Sequence, residues 1–149
     1  MKQIRYISRF ADALTSEEIT KIAESSARHN REVGVTGMLI ASGELFFQII
    51  EGADDKVDAL YEAILRDERH NNVLTLSTEQ GPEVRRLYPD WSMKKFDLSL
   101  EVSDRAELAK SHLNTVFQLH SVLADLIETL EQFTWRAFVA AEMRDLEKK

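Results

Sequence analysis

The heptapeptide "FFQIIEG", residues 46–52, places one glutamine, Gln48, inside a run of aromatic and β-branched residues. This short apolar run is bounded by "SGE" before it and ends at Gly52, a pattern that predicts a β-strand largely hidden from water. A buried primary amide without a hydrogen-bond partner costs about 1–3 kcal/mol, because it loses its bonds to water. The sequence therefore predicts a polar partner for Gln48.

Length, composition and charge narrow the class of protein. The chain has 149 residues, is 44% hydrophobic and carries a formal net charge of −7. It has no cysteine, which excludes disulfides, thiolate metal ligands and a cysteine nucleophile, and which fits the cytoplasm as the expected location. No stretch has the roughly 20 apolar residues of a membrane span, so we expect no membrane partner. The acidic balance argues against a nucleic-acid partner.

Periodicity along the first hundred residues predicts the element order βαββαββ. The predicted strands span residues 2–8, 34–42, 44–52, 72–80 and 91–98. One helix is predicted over 16–30, after a capping box formed by Thr15 and Glu18, and a second runs from a cap at Asp54 or Asp55 to near Asp67. Two split βαβ units of this kind predict an α+β, ferredoxin-like sandwich with two helices on one sheet face.

The C-terminal third predicts helices. Residues 103–149 contain neither Gly nor Pro, and their apolar residues recur at helical spacing, so we expect one or two helices that cover the second sheet face. The predicted organisation is thus a domain over 1–100 and a helical extension over 101–149. Two stripes, apolar except for His120, run along the extension: Ala106, Ala109, Leu113, Val116, His120, Leu123, Ile127 and Leu130 form the first, and Leu119, Val122, Leu126 and Phe133 the second.

The two stripes leave two arrangements open. In one, a stripe packs on the domain while the other pairs with the same helix of a second chain, giving a symmetric homodimer. In the other, a helix hairpin buries both stripes within one monomer. The sequence does not indicate a downstream partner.

Polar residues from several predicted elements converge on the space around Gln48. Tyr6 reaches it if the first and third strands are neighbours, and the ends of both helices supply further groups. Trp91 and Met93 open the last predicted strand on one face. The helix-end candidates are Ser26, His29 and Asn30 on the first helix and Asp67, Arg69 and His70 after the second. Each residue taken singly is also typical of an ordinary structural role.

Several kinds of chemistry lack their signatures. His112 and His120 are eight residues apart, and neither His29 nor His70 has a carboxylate pair at ligand spacing, so we predict no metal site. The chain has no GxGxxG, P-loop, GxSxG or HExxH motif. A cofactor, if one binds, must be held in another way.

Five motifs resemble those of the BLUF domain, the blue-light sensor that uses flavin adenine dinucleotide (FAD). They are "YIS" at 6–8, "HN…GVTGMLI" at 29–40, "FFQIIEG" at 46–52, "DERH" at 67–70 and "WSM" at 91–93. The resemblance covers residues 1 to about 100 and implies non-covalent FAD, with FMN as an alternative flavin. It also implies a photosensory module rather than an enzyme. The alternatives are a light-independent flavoenzyme on a ferredoxin-like fold and a cofactor-free interaction domain.

The resemblance implies a role for each candidate residue. Tyr6 and Gln48 are the photoactive pair: Tyr6 gives an electron and a proton, and the amide of Gln48 then changes its hydrogen bonds by rotation or tautomerisation. Trp91 and Met93 relay the signal. The cofactor-binding set is Ser26, His29, Asn30, Gln48, Asp67, Arg69 and His70, with Arg69 the candidate for compensating phosphate charge.

Overall fold

The computed structural model describes residues 1–10 and 14–146, so the last three positions of the predicted extension, 147–149, lie outside it. The strands are β1 Lys2–Phe10, β2 Thr36–Ser42, β3 Leu45–Gly52, β4 His70–Gln80 and β5 Lys94–Asp97. The α-helices are α1 Ser16–Val33, α2 Asp54–Leu65 and α3 Asp104–Leu146, and a 3-10 turn spans Leu98–Leu100. The prediction of an α+β fold with five strands is confirmed.

The five strands form one mixed sheet in the order β4-β1-β3-β2-β5. The first four strands pair antiparallel and have the order expected of a ferredoxin-like sheet, with β1 and β3 as central neighbours. The last strand, β5, pairs parallel with β2 at the sheet edge. The fold therefore places Tyr6 of β1 beside Gln48 of β3, in the same register position.

Both short helices pack on the same face of the sheet. Ile19 and Ala23 of α1 lie in an apolar cluster with Phe46, whereas Val57 of α2 lies in a second cluster with Ile50. Phe46 and Ile50 flank Gln48 on one face of β3, because side chains on a strand alternate. Gln48 therefore lies between the two helix-bearing clusters.

The two helices begin differently. The capping box of Thr15 and Glu18 forms as predicted. The predicted cap at Asp54 or Asp55 is wrong: Ala53 precedes α2 and no side chain caps it. The reason is that the Asp54 carboxylate accepts a hydrogen bond from Gln80 at 2.7 Å and pairs with the N-terminal amine at 3.1 Å.

The last strand is shorter than predicted, and this corrects the placement of Trp91 and Met93. The strand begins at Lys94 rather than at 91, so both residues lie in the segment before it. Backbone groups of that segment bond outside a β-ladder: the carbonyl of Ser92 accepts from the Asn30 side chain at 2.8 Å. Trp91 and Met93 are therefore positioned by individual contacts rather than by strand pairing.

The C-terminal extension is one continuous helix, α3, over the described residues. The chain divides into two compact units, Met1–Asn114 and a second that begins at Thr115. Among the described residues no helix is both long enough and apolar enough to cross a membrane.

Gly37, in the predicted strand "GVTGMLIAS", meets a packing constraint that can be tested. A Cβ at this position would lie 2.0 Å from the backbone oxygen of Ile49. We expect Gly37→Ala to lower the free energy of unfolding, measured by urea denaturation, by about 2–3 kcal/mol, because β2 must move away from β3.

Gly43→Ala is the matched control. Gly43 has a φ of 61° and no atom near its Cβ position, so it should lose only about 1 kcal/mol to backbone strain. An equal loss of stability in the two variants would contradict the close approach of β2 and β3 at Gly37.

Candidate functional site

A cavity of about 240 Å³ lies over the helix-bearing face of the sheet, among residues of α1, α2 and the chain that follows α2. Its polar lining includes Tyr6 and all the residues predicted to bind a cofactor: Ser26, His29, Asn30, Gln48, Asp67, Arg69 and His70. The structure thus brings these side chains to one place. Trp91 and Met93 are not part of the lining.

Tyr6 and Gln48 form the floor of the cavity. They are cross-strand partners of β1 and β3, and the Tyr6 hydroxyl donates a hydrogen bond to Gln48 Oε1. Tyr6 is fully buried. Burial raises the pKa of its phenol above the ordinary value, and the charges of Tyr61 and Asp67 raise that pKa further. The phenol therefore stays protonated and serves Gln48 as a donor.

The other end of the Gln48 amide points to Met93. Gln48 Nε2 donates to the Met93 sulfur at 3.5 Å. A thioether is a weak acceptor, so this amide nitrogen retains capacity for a stronger acceptor, such as a carbonyl oxygen in the cavity. Although Met93 does not line the cavity, it contacts Gln48, one of the two residues that form the cavity floor.

Asn30 supplies a second amide from the last turns of α1. It is 1% exposed, and its Nδ2 donates to the carbonyl of Ser92. Its backbone oxygen accepts from the N–H of Val35 at 2.8 Å, which fixes the end of the helix. Ser26 is half-buried on the same helix, and His29 is exposed. Asn30 is thus the buried member of the α1 wall.

The residues that follow α2 in sequence contribute charged groups to the cavity lining. Arg69 donates through Nε to both oxygens of Asp67, at 2.9 and 3.0 Å. These hydrogen bonds lower the pKa of Asp67 to about 2, so the carboxylate is ionised at neutral pH and the pair is neutral overall. The guanidinium predicted to compensate phosphate charge already has an acidic partner.

His70 closes the same end of the cavity. Its Nδ1 lies 2.9 Å from the Ser8 hydroxyl, and its ring is 4.7 Å from that of Phe10. Burial lowers the pKa of His70, partly offset by the charge of Asp67. His70 is therefore held as a neutral ring at neutral pH.

Apolar residues complete the lining, although no sequence motif marked them as part of a site. They are Phe10, Ile22, Leu39, Leu60, Ala63 and Ile64. Leu60 and Ile64 lie four residues apart on α2 and pack against the buried cluster of Ile50 and Val57, but helical spacing does not indicate that they border a cavity. The sequence also did not indicate that Tyr61 lies 5.3 Å from Tyr6, ring centre to ring centre.

Trp91 lies at the surface, where it stacks on Tyr88 with a centroid distance of 5.2 Å. It is 36% exposed. Trp91 is linked to the cavity by the two residues that follow it: the carbonyl of Ser92 accepts from Asn30, and the sulfur of Met93 accepts from Gln48.

The lining suits a planar heteroaromatic ligand with a polar edge. Apolar side chains from two helices form the walls, and two amides, Gln48 and Asn30, supply groups that can pair with carbonyl and ring-nitrogen atoms. The cavity volume is slightly below the roughly 300 Å³ at the lower end of small-molecule pockets. The residues thus fit the ring system of a flavin.

Relatives of known activity share this part of the chain. Photoactivated adenylate cyclase subunit beta of Euglena longa is 34% identical over 96 residues, which are 63% of this chain and 11% of that protein. The chain therefore spans about a tenth of that curated relative.

Solved structures agree in fold. A bacterial light-regulated adenylyl cyclase is 40% identical with a TM-score of 0.74, over 83% of this chain and 36% of that one. BlrB, a BLUF protein in its dark state, is 30% identical with a TM-score of 0.60, over 74% of this chain and 91% of that one.

Residues 1–94 match the family described as sensors of blue-light using FAD. This match covers strands β1 to β4, the first residue of β5 and every residue that lines the cavity. The chain belongs to the BLUF family.

Proposed function

We propose that this chain senses blue light through non-covalently bound FAD and that Tyr6 and Gln48 carry the photochemistry. The observation that supports this most strongly is the hydrogen bond from the buried Tyr6 hydroxyl to Gln48 Oε1 at the cavity floor. When bound, the flavin supplies absorption of blue light and, once excited, a strong one-electron oxidant.

The cavity residues hold the ring system in this proposal. Asn30 Nδ2 and Gln48 Nε2 are the donors for its carbonyl edge, and the apolar residues of α1 and α2 contact its faces. Arg69 and the exposed His29 would be the residues that hold the phosphates, with Asp67 limiting the positive charge that Arg69 offers.

Tyr6 is suited to give up an electron and a proton only under light. Its raised pKa keeps the phenol protonated in the dark. Loss of an electron to the excited flavin would make the phenol strongly acidic, and the hydrogen bond to Gln48 Oε1 offers the first part of a path by which the proton would follow the electron. Return of the electron and the proton restores Tyr6.

Gln48 stores the light signal in its hydrogen bonds. Its amide has a donor end and an acceptor end, so rotation or tautomerisation exchanges what it offers to its neighbours. A rotated amide points its oxygen at Met93, which cannot donate a hydrogen bond, and so the Gln48–Met93 contact is lost. The change therefore reaches the segment before β5.

We further propose that α3 makes the output assembly, a symmetric homodimer. The support is that the two predicted stripes lie side by side on the second compact unit and together form one apolar stripe whose members are 47% to 70% exposed. These residues are Leu119, Val122, Leu123, Leu126, Ile127, Leu130 and Phe133. They keep the 3/4 spacing of a coiled-coil seam, which a second copy of the same helix matches by symmetry.

Tyr6→Phe should retain flavin but lose the reversible red shift of flavin absorption under blue light, because the ring still packs while the electron and proton donor is absent. Tyr61→Phe is the matched control, since Tyr61 packs against Tyr6 but bonds Thr75 instead of Gln48. A light-minus-dark absorption spectrum measures both variants. A normal red shift in Tyr6→Phe would refute the proposed donor.

Asn30→Ala should weaken flavin binding about ten- to hundredfold, because it removes a buried donor and leaves a ligand acceptor unpaired. Ser25→Ala, which alters an exposed residue of the same cavity lining, should change affinity little. Fluorescence titration of flavin gives both dissociation constants. Equal affinities for Asn30→Ala and wild type would count against the placement of the ring beside α1.

Replacing Leu123 and Ile127 with Glu should give a monomer that still binds flavin and still shifts under light, since the stripe lies outside the cavity-bearing unit. The control variant Ala124→Glu/Gln132→Glu alters the opposite side of the same helix and should remain a dimer. Light scattering at tens of micromolar reports the mass. A monomeric wild type in both dark and light would disprove the dimer and leave the photoreceptor proposal standing.

A further inference from the structure

Glu51 is a fully buried carboxylate on the sheet face that points away from the cavity. Each of its two oxygens accepts two hydrogen bonds. Oε1 accepts from Thr36 Oγ1 at 3.0 Å and from the N–H of Tyr88 at 2.7 Å. Oε2 accepts from Gln3 Nε2 at 2.8 Å and from the N–H of Leu87 at 2.9 Å. These four donors use the full acceptor capacity of a carboxylate.

Two of those donors belong to a segment that has no strand or helix of its own. Residues 87–93, here named the relay segment, connect Glu51 to the cavity. Arg86, immediately before it, adds bonds to the backbone oxygens of Glu51 at 3.0 Å and Gly34 at 2.7 Å. The beginning of the relay segment is therefore fixed to the back of the sheet.

The end of the relay segment is fixed to the cavity side. The carbonyl of Trp91 accepts from the N–H of Gly37 at 2.8 Å, and the carbonyl of Ser92 accepts from Asn30. The sulfur of Met93 accepts from Gln48. The contact between Gln48 and Met93 is the weakest of these, so the position of Met93 depends on where the stronger bonds hold the chain.

We propose that Glu51 is a positioning residue for the light response: its carboxylate holds the relay segment so that Met93 meets Gln48 and Ser92 meets Asn30. This inference rests on the proposed Gln48 switch. Gln48 and Glu51 lie three residues apart on β3 and so face opposite sides of the sheet. The same strand therefore contacts the cavity through Gln48 and holds the relay segment through Glu51.

An amide cannot replace this carboxylate. In Glu51→Gln one oxygen becomes an NH₂ group, which then faces two N–H or O–H donors instead of accepting from them. At least one backbone N–H of the relay segment competes for the remaining acceptor, and buried donors are left unpaired. Glu51→Gln therefore releases the beginning of the relay segment while changing the side-chain volume little.

The first test measures, in the dark, whether Glu51 holds the relay segment in place. The chain has two tryptophans, so Trp135→Phe leaves Trp91 as the single fluorescent reporter in the relay segment. In that background, Glu51→Gln should raise acrylamide quenching of Trp91 roughly twofold, since the ring is 36% exposed when the segment is held and more exposed when it opens. Ile49→Val, a buried change on the same face of β3, is the control for general destabilisation and should not alter quenching.

The second test measures the light response of the flavin-loaded protein. Glu51→Gln should keep the red shift, because Tyr6, Gln48 and Asn30 are intact. Its dark recovery should be about tenfold faster, because a tenfold change in rate corresponds to the loss of one hydrogen bond to a charged group. Recovery at the wild-type rate in Glu51→Gln, with Trp91 quenching also unchanged, would overturn the inference. If wild type itself shows no red shift, the proposed function fails, while the quenching test still decides whether Glu51 anchors the segment.

Arg86→Ala provides a second variant if Glu51→Gln does not fold. It removes the bonds of Arg86 to Thr36, Glu51 and Gly34 and leaves the buried carboxylate in place. It should increase Trp91 quenching and speed dark recovery in the same direction as Glu51→Gln. If Glu51→Gln does not fold, Trp91 quenching and dark recovery at wild-type levels in Arg86→Ala would overturn the inference.

Discussion

The hydrogen bond between Tyr6 and Gln48 is the interaction on which the site depends. It exists because β1 and β3 are central neighbours whose register sets the two residues side by side, and because both face the helix-bearing side of the sheet. Burial by α1 and α2 keeps the phenol protonated, and it also leaves the amide with few alternatives to the groups in the cavity. A change in that amide therefore cannot occur without a change in its neighbours.

The third strand gives this pair a connection to the rest of the domain. Gln48 faces the cavity and Glu51 faces the opposite side, while the relay segment contacts both through separate hydrogen bonds. Cavity, strand and relay segment lie within the compact unit of Met1–Asn114, before the exposed stripe of α3 begins. Hydrogen-bond changes of the order of a kilocalorie per mole are sufficient to shift such a segment between two arrangements.

Sequence patterns predicted the element order and the ferredoxin-like sheet, because α1 and β2 each bury one face and β3 is a short apolar run that is buried on both faces. The convergence of Tyr6, Asn30 and Gln48 also followed from that order. Periodicity could not place Trp91 and Met93, whose positions depend on single bonds to Gly37, Asn30 and Gln48 that leave no repeating pattern. The four donors to Glu51 were likewise hidden, since two are side chains distant in sequence and two are backbone N–H groups.

The light-minus-dark absorption spectrum of flavin-loaded wild type and of Gln48→Leu, under equal illumination, tests the central claim most directly. Both proteins should bind flavin, and only wild type should show a red shift that decays in the dark, because only wild type has an amide that can exchange its donor and acceptor ends. A Gln48→Leu variant that shifts and recovers like wild type would contradict the proposed role of the Gln48 amide.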